Sequence, residues 1–325
     1  MPADKLKIVV SESREFSPRA ANLLRQAGQV VFADLDRQGL LAAVREADVL
    51  WVRLRHQIDA EVMTAGPRLK VIVTPTTGLN HIGLQEAEHR GIRVLSLRGE
   101  TAFLRDIRAT AEHTLALMLT LLRRLPAAVT HVHDGGWDRD QFKGHELHEK
   151  TVGVIGYGRL GRIVARYLKA FDVRILATDP HVNAAVVEPG IALLTCEALL
   201  READLVTLHV NLCEETYRFF GPAQFATMKR GAWFINTSRG ELVDEQSLLE
   251  ALQSGHLAGA AVDVLAAEHY TGMGEHPLVA YAREHDNLII TPHIGGCTVE
   301  SMAKTECFLA ESLVTLFKRG AFAIA

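Results

Sequence analysis

The sequence predicts an α/β protein made of two doubly wound parallel-sheet domains. Short apolar, β-branched runs alternate with segments of helical periodicity through the first hundred residues, and the same alternation resumes at Thr151. The chain is 325 residues long, which accommodates two domains of ordinary size.

Taken in order, Lys7–Val10, Val30–Phe32, Val49–Val52 and Val71–Val73 read as short buried strands, because uninterrupted β-branched runs suit strands covered on both faces. Between them, Ala20–Arg25, Leu40–Arg45 and Ala60–Met63 carry apolar residues at helical spacing. A long helix follows over Arg108–Arg124, with Pro126 expected to limit it. His131–His148 is polar, histidine-rich and contains Gly135-Gly136, so it reads as a surface loop. The second alternation supplies strands at Thr151–Ile155, Val173–Thr178, Leu205–Leu208, Ala232–Ile235, Ala260–Val262 and Leu288–Ile290. A last helix, Val299–Phe317, is expected to cross back and pack on the first domain, making that domain discontinuous.

The most informative stretch is Gly156-Tyr157-Gly158-Arg159-Leu160-Gly161, which lies between a buried strand and a helix. Gly156 permits the sharp turn, Gly158 lets a pyrophosphate approach backbone, and Gly161 lets helix and strand pack closely. Amides at the helix start, through Arg159, Leu160 and Gly161, point at phosphates along the helix dipole. The following strand ends in Asp179, whose carboxylate can accept both ribose hydroxyls and would repel a 2′-phosphate. No arginine follows at Pro180 or His181, so the cradle predicts NAD over NADP.

Composition narrows the class. Apolar content of 48% with 23% charged residues is that of a globular protein, and a net charge of −4 points to neither nucleic acid nor an anionic membrane. Four scattered cysteines (Cys196, Cys213, Cys297, Cys307) form no metal-binding pair and read as reduced thiols of a cytoplasmic protein. Met1-Pro2-Ala3-Asp4-Lys5 leads into a strand without a secretory apolar region. The most apolar helix, Thr114–Leu122, is too short to span a bilayer and is flanked by Glu112, His113, Arg123 and Arg124. No metal site is expected.

Three titratable residues follow predicted strands, at the carboxyl ends where open α/β sheets bind ligands. Arg239 follows Phe234–Ser238, Glu268 follows Val262–Val264, and His293 follows Leu288–Pro292. A guanidinium fork suits a carboxylate, an imidazole moves a proton near neutral pH, and a carboxylate beside it fixes its tautomer. Singly, each is an ordinary loop residue; their joint placement downstream of a dinucleotide cradle favours catalysis.

These residues sit in motifs that resemble the D-isomer-specific 2-hydroxyacid dehydrogenases along nearly the whole chain, in the short phosphoglycerate-dehydrogenase-like form without a regulatory domain. The motifs are Ala109–Thr114, the glycine turn ending in Asp179, Asp204–His209, Ile235–Asp244, Ala258–Val264 and Thr291–Gly296. The resemblance implies a Rossmann NAD-binding domain (103–295) inserted in a flavodoxin-like substrate domain (1–102 and 296–325). It implies interconversion of a D-2-hydroxy acid and its 2-keto acid, with Arg239 on the substrate carboxylate, His293 as acid/base and Glu268 paired with it. It places His209, Thr237, Ser238, Arg239, Asp263, His293, Gly295 and Gly296 around the cofactor, and Thr77, Gly78 and Leu79 on the substrate. It also implies a homodimer joined through the NAD-binding domains.

Several positions depart from the family pattern. His269 replaces a frequent proline after Glu268, Asn211 another beside the adenine pocket, and Cys297 a usual serine. Leu97–Arg108 is longer than usual and carries three arginines; these, or Arg53 and Arg55, are candidates to hold a second substrate anion such as the phosphate of 3-phosphoglycerate. Solvated hinge arginines are the plainer alternative. A chain ending here is not expected to carry serine feedback. The competing class is an NAD(H)-sensing, corepressor-like regulator on the same fold. Glu268 argues against formate dehydrogenase, which typically has glutamine there, and a methyltransferase would not need the Arg/Glu/His set.

Overall fold

The computed structural model describes residues 6–266, 268 and 273–319. The chain divides into two units: one from the described residues of Met1–Asp106 and Thr298–Ala325, the other Ile107–Cys297.

The first unit carries strands β1 (Leu6–Val10), β2 (Gly28–Phe32), β3 (Val49–Trp51), β4 (Val71–Val73) and β5 (Arg93–Leu95). They form one parallel sheet in the order β2-β1-β3-β4-β5, with Val10 level with both Phe32 and Trp51. This order reverses direction between β1 and β3, the position at which such sheets bind ligands. Four of its helices start on side-chain caps: Ser17, Asp36 and Asp59 each accept a first-turn amide, as does Thr298 at the start of Val299–Lys318. That last helix packs along Pro18–Ala27, and burial of Leu309, Ala310, Leu313 and Val314 makes it part of this unit.

The second unit holds β6 (Thr151–Ile155), β7 (Arg174–Thr178), β8 (Ile191–Leu193), β9 (Leu205–Leu208), β10 (Ala232–Asn236), β11 (Leu257–Val262) and β12 (Leu288–Ile290). The parallel order is β12-β11-β10-β9-β6-β7-β8. Chain direction across the sheet reverses between β6 and β9, so the glycine turn after β6 and His209 after β9 flank the switch point. The helix Ala109–Leu122 buries Leu115, Met118, Leu121 and Leu122 in the same core as Val152, Val154 and Ile235.

Two short strands, β5 and β8, lack a sequence signal because they are half-exposed edges rather than apolar runs. Pro126 does more than end the long helix. It sits in the first turn of a second helix, Leu125–His133, where a missing N–H costs nothing. The expected loop therefore begins as a helix and includes a 3-10 turn at Arg139–Phe142. Among the described residues no single helix is long and apolar enough to cross a membrane. Met1–Lys5 and His269 lie outside the described residues.

Candidate active site

The glycine turn shows why each of its glycines is there. Gly156 has φ of 91°, and a Cβ on it would lie 2.4 Å from the His209 carbonyl oxygen. A Cβ on Gly161 would lie 2.0 Å from the Gly156 oxygen, so this glycine lets the helix Arg159–Leu168 close on the strand. At Gly158 a Cβ would meet nothing within 4 Å, and no side chain caps the helix it begins. An open glycine before uncapped amides is the arrangement a pyrophosphate requires. Burial, and then the neighbouring Arg108, lower the pKa of Arg159 at this helix start.

Asp179 closes the cradle. Its carboxylate accepts the Tyr157 amide at 2.9 Å and the His181 amide at 2.9 Å, which fixes it at the end of β7. On the other side of the turn, the His209 imidazole shares a hydrogen bond of 3.1 Å with the Thr207 hydroxyl. Burial holds that ring neutral, pushing its pKa down to about 3, and its Nδ1 is buried without a partner. These residues fit NAD: the open glycine leaves room for phosphates and Asp179 offers a carboxylate to a ribose.

The chemistry-bearing groups leave the same edge of the same sheet. Asn236, Val262 and Ile290 are in register, so Arg239, Asp263 and His293 follow adjacent strands at one level. Arg239 is shaped from behind. The Asn236 amide donates to the Arg239 carbonyl at 2.8 Å and accepts the Ser238 N–H at 3.0 Å, while the Ser238 hydroxyl donates to the Leu208 carbonyl at 2.8 Å. The Arg239 guanidinium places one Nη on the Ser238 carbonyl at 2.6 Å. Thr237 shares a 2.9 Å hydrogen bond with Thr114 of the long helix. Gly240 then lets this loop lie against Leu265 and Ala266, since a Cβ there would be 2.0 Å from the Leu265 carbonyl carbon.

His293 and Glu268 meet: Nδ1 lies 2.7 Å from Oε1. The carboxylate can only accept, so Nδ1 carries the proton and Nε2 is the nitrogen left to exchange one. His293 has φ of 53°, in the left-handed region, a conformation that costs free energy and must be held. Asp263 holds it. The Asp263 carbonyl accepts the His293 N–H at 2.8 Å, and its carboxylate accepts Ile294 N–H at 2.9 Å, Gly295 N–H at 2.7 Å and the Thr291 hydroxyl at 2.6 Å. Burial alone would raise the Asp263 pKa; hydrogen bonds from His113, Thr291 and the two amides outweigh it and hold the carboxyl below its usual range. Gly295 is needed because a Cβ would stand 2.9 Å from the Asp263 carboxylate.

His113 is part of this clamp, although the sequence offered it only as a motif letter. Its Nε2 is 3.2 Å from Asp263 Oδ1 and 3.0 Å from the Thr291 hydroxyl. Thr291 spends its proton on Asp263, so Nε2–H of His113 must donate. Cys297 and Asn211 are exposed, and Gly296 has open space around it.

In the first unit, Thr77–Leu79 follow β4 at its carboxyl end, where the Gly78 carbonyl accepts the Thr76 hydroxyl at 2.8 Å. Arg53 follows β3, and its guanidinium is committed to Glu306 at 2.5 Å and to the Arg14 carbonyl at 3.0 Å. Arg55 lies 3.5 Å from Asp34.

A cradle shaped for a dinucleotide thus shares one sheet edge with an imidazole locked to a carboxylate. Residues 115–295 match the model of the D-isomer specific 2-hydroxyacid dehydrogenase NAD binding domain. The chain is 38% identical over 279 residues to the D-3-phosphoglycerate dehydrogenase of Mycobacterium tuberculosis, covering 86% of this chain and 51% of that protein. It is 36% identical over 317 residues to the glyoxylate reductase of Thermofilum pendens, covering 96% and 85%. Its fold is similar to the D-lactate dehydrogenase from Aquifex aeolicus complexed with NAD and lactic acid, with TM-score 0.82, 29% identity and coverage of 97% and 96%. The chain belongs to the D-isomer-specific 2-hydroxyacid dehydrogenase family. It spans about half the length of the phosphoglycerate dehydrogenases it matches.

Proposed function

We propose that this chain is an NAD-dependent oxidoreductase that interconverts a D-2-hydroxy acid and its 2-keto acid. The observation that carries the reading is the 2.7 Å contact between His293 and Glu268 on the edge that also bears the dinucleotide cradle. Bound NADH supplies the hydride for the keto carbon. Arg239 holds the substrate carboxylate and polarises the carbonyl. His293 gives the proton on Nε2 to the developing alkoxide, and takes it back in the oxidative direction. Glu268 holds Nδ1–H and so keeps Nε2 as the exchanging nitrogen. Gly156, Gly158, Gly161, Arg159 and Asp179 hold the dinucleotide, and Asp263 with Thr237, Ser238, Gly295 and Gly296 supports its nicotinamide side.

The cofactor-binding unit also supports a homodimer. The helix Leu125–His133 buries none of its residues, and Leu125, Val129 and Val132 are 45%, 51% and 47% exposed, beside Trp137 at 90%. That is an apolar stripe for a second copy to cover. All four cysteines are unpaired, which supports residence in the reducing cytoplasm.

NADH oxidation with a panel of 2-keto acids (glyoxylate, hydroxypyruvate, phosphohydroxypyruvate and bulkier acids) tests the reading. Steady turnover with at least one acid is expected. Tight NADH binding without turnover on any acid would favour a sensor instead.

A further inference from the structure

The second unit holds another acid–imidazole pair besides Glu268 and His293. Glu245 opens the helix Glu245–Gln253, whose cap Asp244 accepts the Ser247 N–H at 2.8 Å and whose Leu248, Leu249 and Leu252 are buried. The helix start is therefore fixed in place, and a carboxylate in its first turn suits the helix dipole. Glu245 divides its two oxygens between two partners. Oε1 accepts the Ala266 N–H at 2.8 Å, two residues before Glu268. Oε2 lies 3.2 Å from His276 Nε2. The tautomer of that ring follows from its other nitrogen. Nδ1 accepts the Leu278 N–H at 3.3 Å, capping the helix Pro277–Glu284, so Nε2 carries the proton and donates it to Glu245. Leu278 is buried in the core of the unit, which anchors this helix start as well. One carboxylate thus ties the chain just before Glu268 to the chain that follows it. The side chains of Glu245 and His276 are 20% and 12% exposed, so water competes little for these bonds.

We propose that Glu245 is a positioning residue: by holding the Ala266 amide and the His276 ring together, it fixes the place from which Glu268 reaches His293. This rests on the dehydrogenase reading above. Glu268 stands two residues past the held amide, and its oxygen is 2.7 Å from His293 Nδ1. A displacement of about 1 Å takes that contact beyond hydrogen-bonding distance. Nδ1–H is then no longer held, and Nε2 is no longer fixed as the nitrogen that exchanges the proton. Glu245 acts through Glu268 rather than on the substrate or the dinucleotide. His276 serves the same end by holding the second oxygen, which keeps the carboxylate turned toward Ala266.

The test uses Glu245→Gln, which keeps the shape but leaves one acceptor oxygen for two donors, so one of the two links is lost. With an accepted 2-keto acid, kcat should fall about tenfold. The NADH dissociation constant from fluorescence titration should stay within about twofold, since the glycine turn and Asp179 follow other strands, β6 and β7. A loss of stability alone would lower kcat whether or not Glu268 is present. The same substitution is therefore made in a Glu268→Ala background, where kcat should change by less than about twofold because the group being positioned is gone. An unchanged kcat in Glu245→Gln, or an equal fall in both backgrounds, overturns the inference. Should Glu245→Gln not fold, His276→Asn cuts the same link from the other side and is read by the same two comparisons. Turnover of no 2-keto acid by the intact chain removes the dehydrogenase reading and this role with it, whereas turnover that Glu245→Gln leaves untouched removes only the role.

Discussion

Two strand-end clusters, one in each unit, place an acid against a base and end with opposite consequences. After β11 and β12, Glu268 meets His293, a group that can still exchange a proton at its other nitrogen. After β3, Arg53 meets Glu306 of the helix Val299–Lys318, and since Arg53 stays charged the pair is settled in one state. The backbone differs as well. His293 is held at φ of 53° by amides converging on Asp263, whereas Arg53 continues directly from a regular strand. The carboxyl end of an open α/β sheet can thus carry a pair able to exchange a proton or one fixed in charge, and the partner's acid–base chemistry decides which.

The comparison breaks most easily at His293. His293→Ala should lower kcat by about a hundredfold or more, since general acid catalysis contributes that much, while fluorescence titration shows NADH binding retained. Unchanged turnover would move His293 to the structural class. A smaller loss is expected from Asp263→Asn, which removes the carboxylate that gathers Ile294, Gly295, Thr291 and His113. Displacing His293 by about 1 Å would cost up to about a hundredfold in kcat, and KM for NADH should rise with it.

The cradle sharpens the contrast between binding and stability. Gly158→Ala should leave the thermal midpoint unchanged, because a Cβ there meets nothing within 4 Å, yet weaken NADH by about tenfold or more. Gly161→Ala should do the reverse in kind, destabilising the fold by about 1–3 kcal/mol through contact with the Gly156 oxygen. Equal melting losses in both variants would deny that Gly158 is kept for a ligand.

How much of this was readable from sequence follows from how local each feature is. The glycine turn, its strand and Asp179 lie within one contiguous stretch, so periodicity and spacing reveal them. Arg239 and His293 could be placed at strand ends because their strands are apolar runs. The Arg53–Glu306 pair could not be read, since its members are 253 positions apart and nothing local to either names the other. His113 was invisible as a positioning group for the same reason, lying 178 positions from Thr291. The helix after Pro126 was missed because proline stops one helix and starts another equally well.

The smallest expected effect is on acid stability. His209 has its pKa pushed down by burial from 6.5 to about 3, so the unfolded chain takes up a proton that the folded chain refuses. Its contribution is full above pH 6.5 and is lost as pH falls toward 3. Chemical denaturation across that window should show a shallower decline in His209→Asn than in the parent, and parallel curves would deny the ring's burial.

The most direct measurement follows the hydrogen itself. NADH deuterated at both C4 positions is incubated with an accepted 2-keto acid, and the product is examined by mass spectrometry and chiral chromatography. Label at C2 in the D-enantiomer is the expected result. An unlabelled product, or label in the L-enantiomer or a racemate, would contradict hydride transfer at a site organised by His293, Glu268 and Arg239.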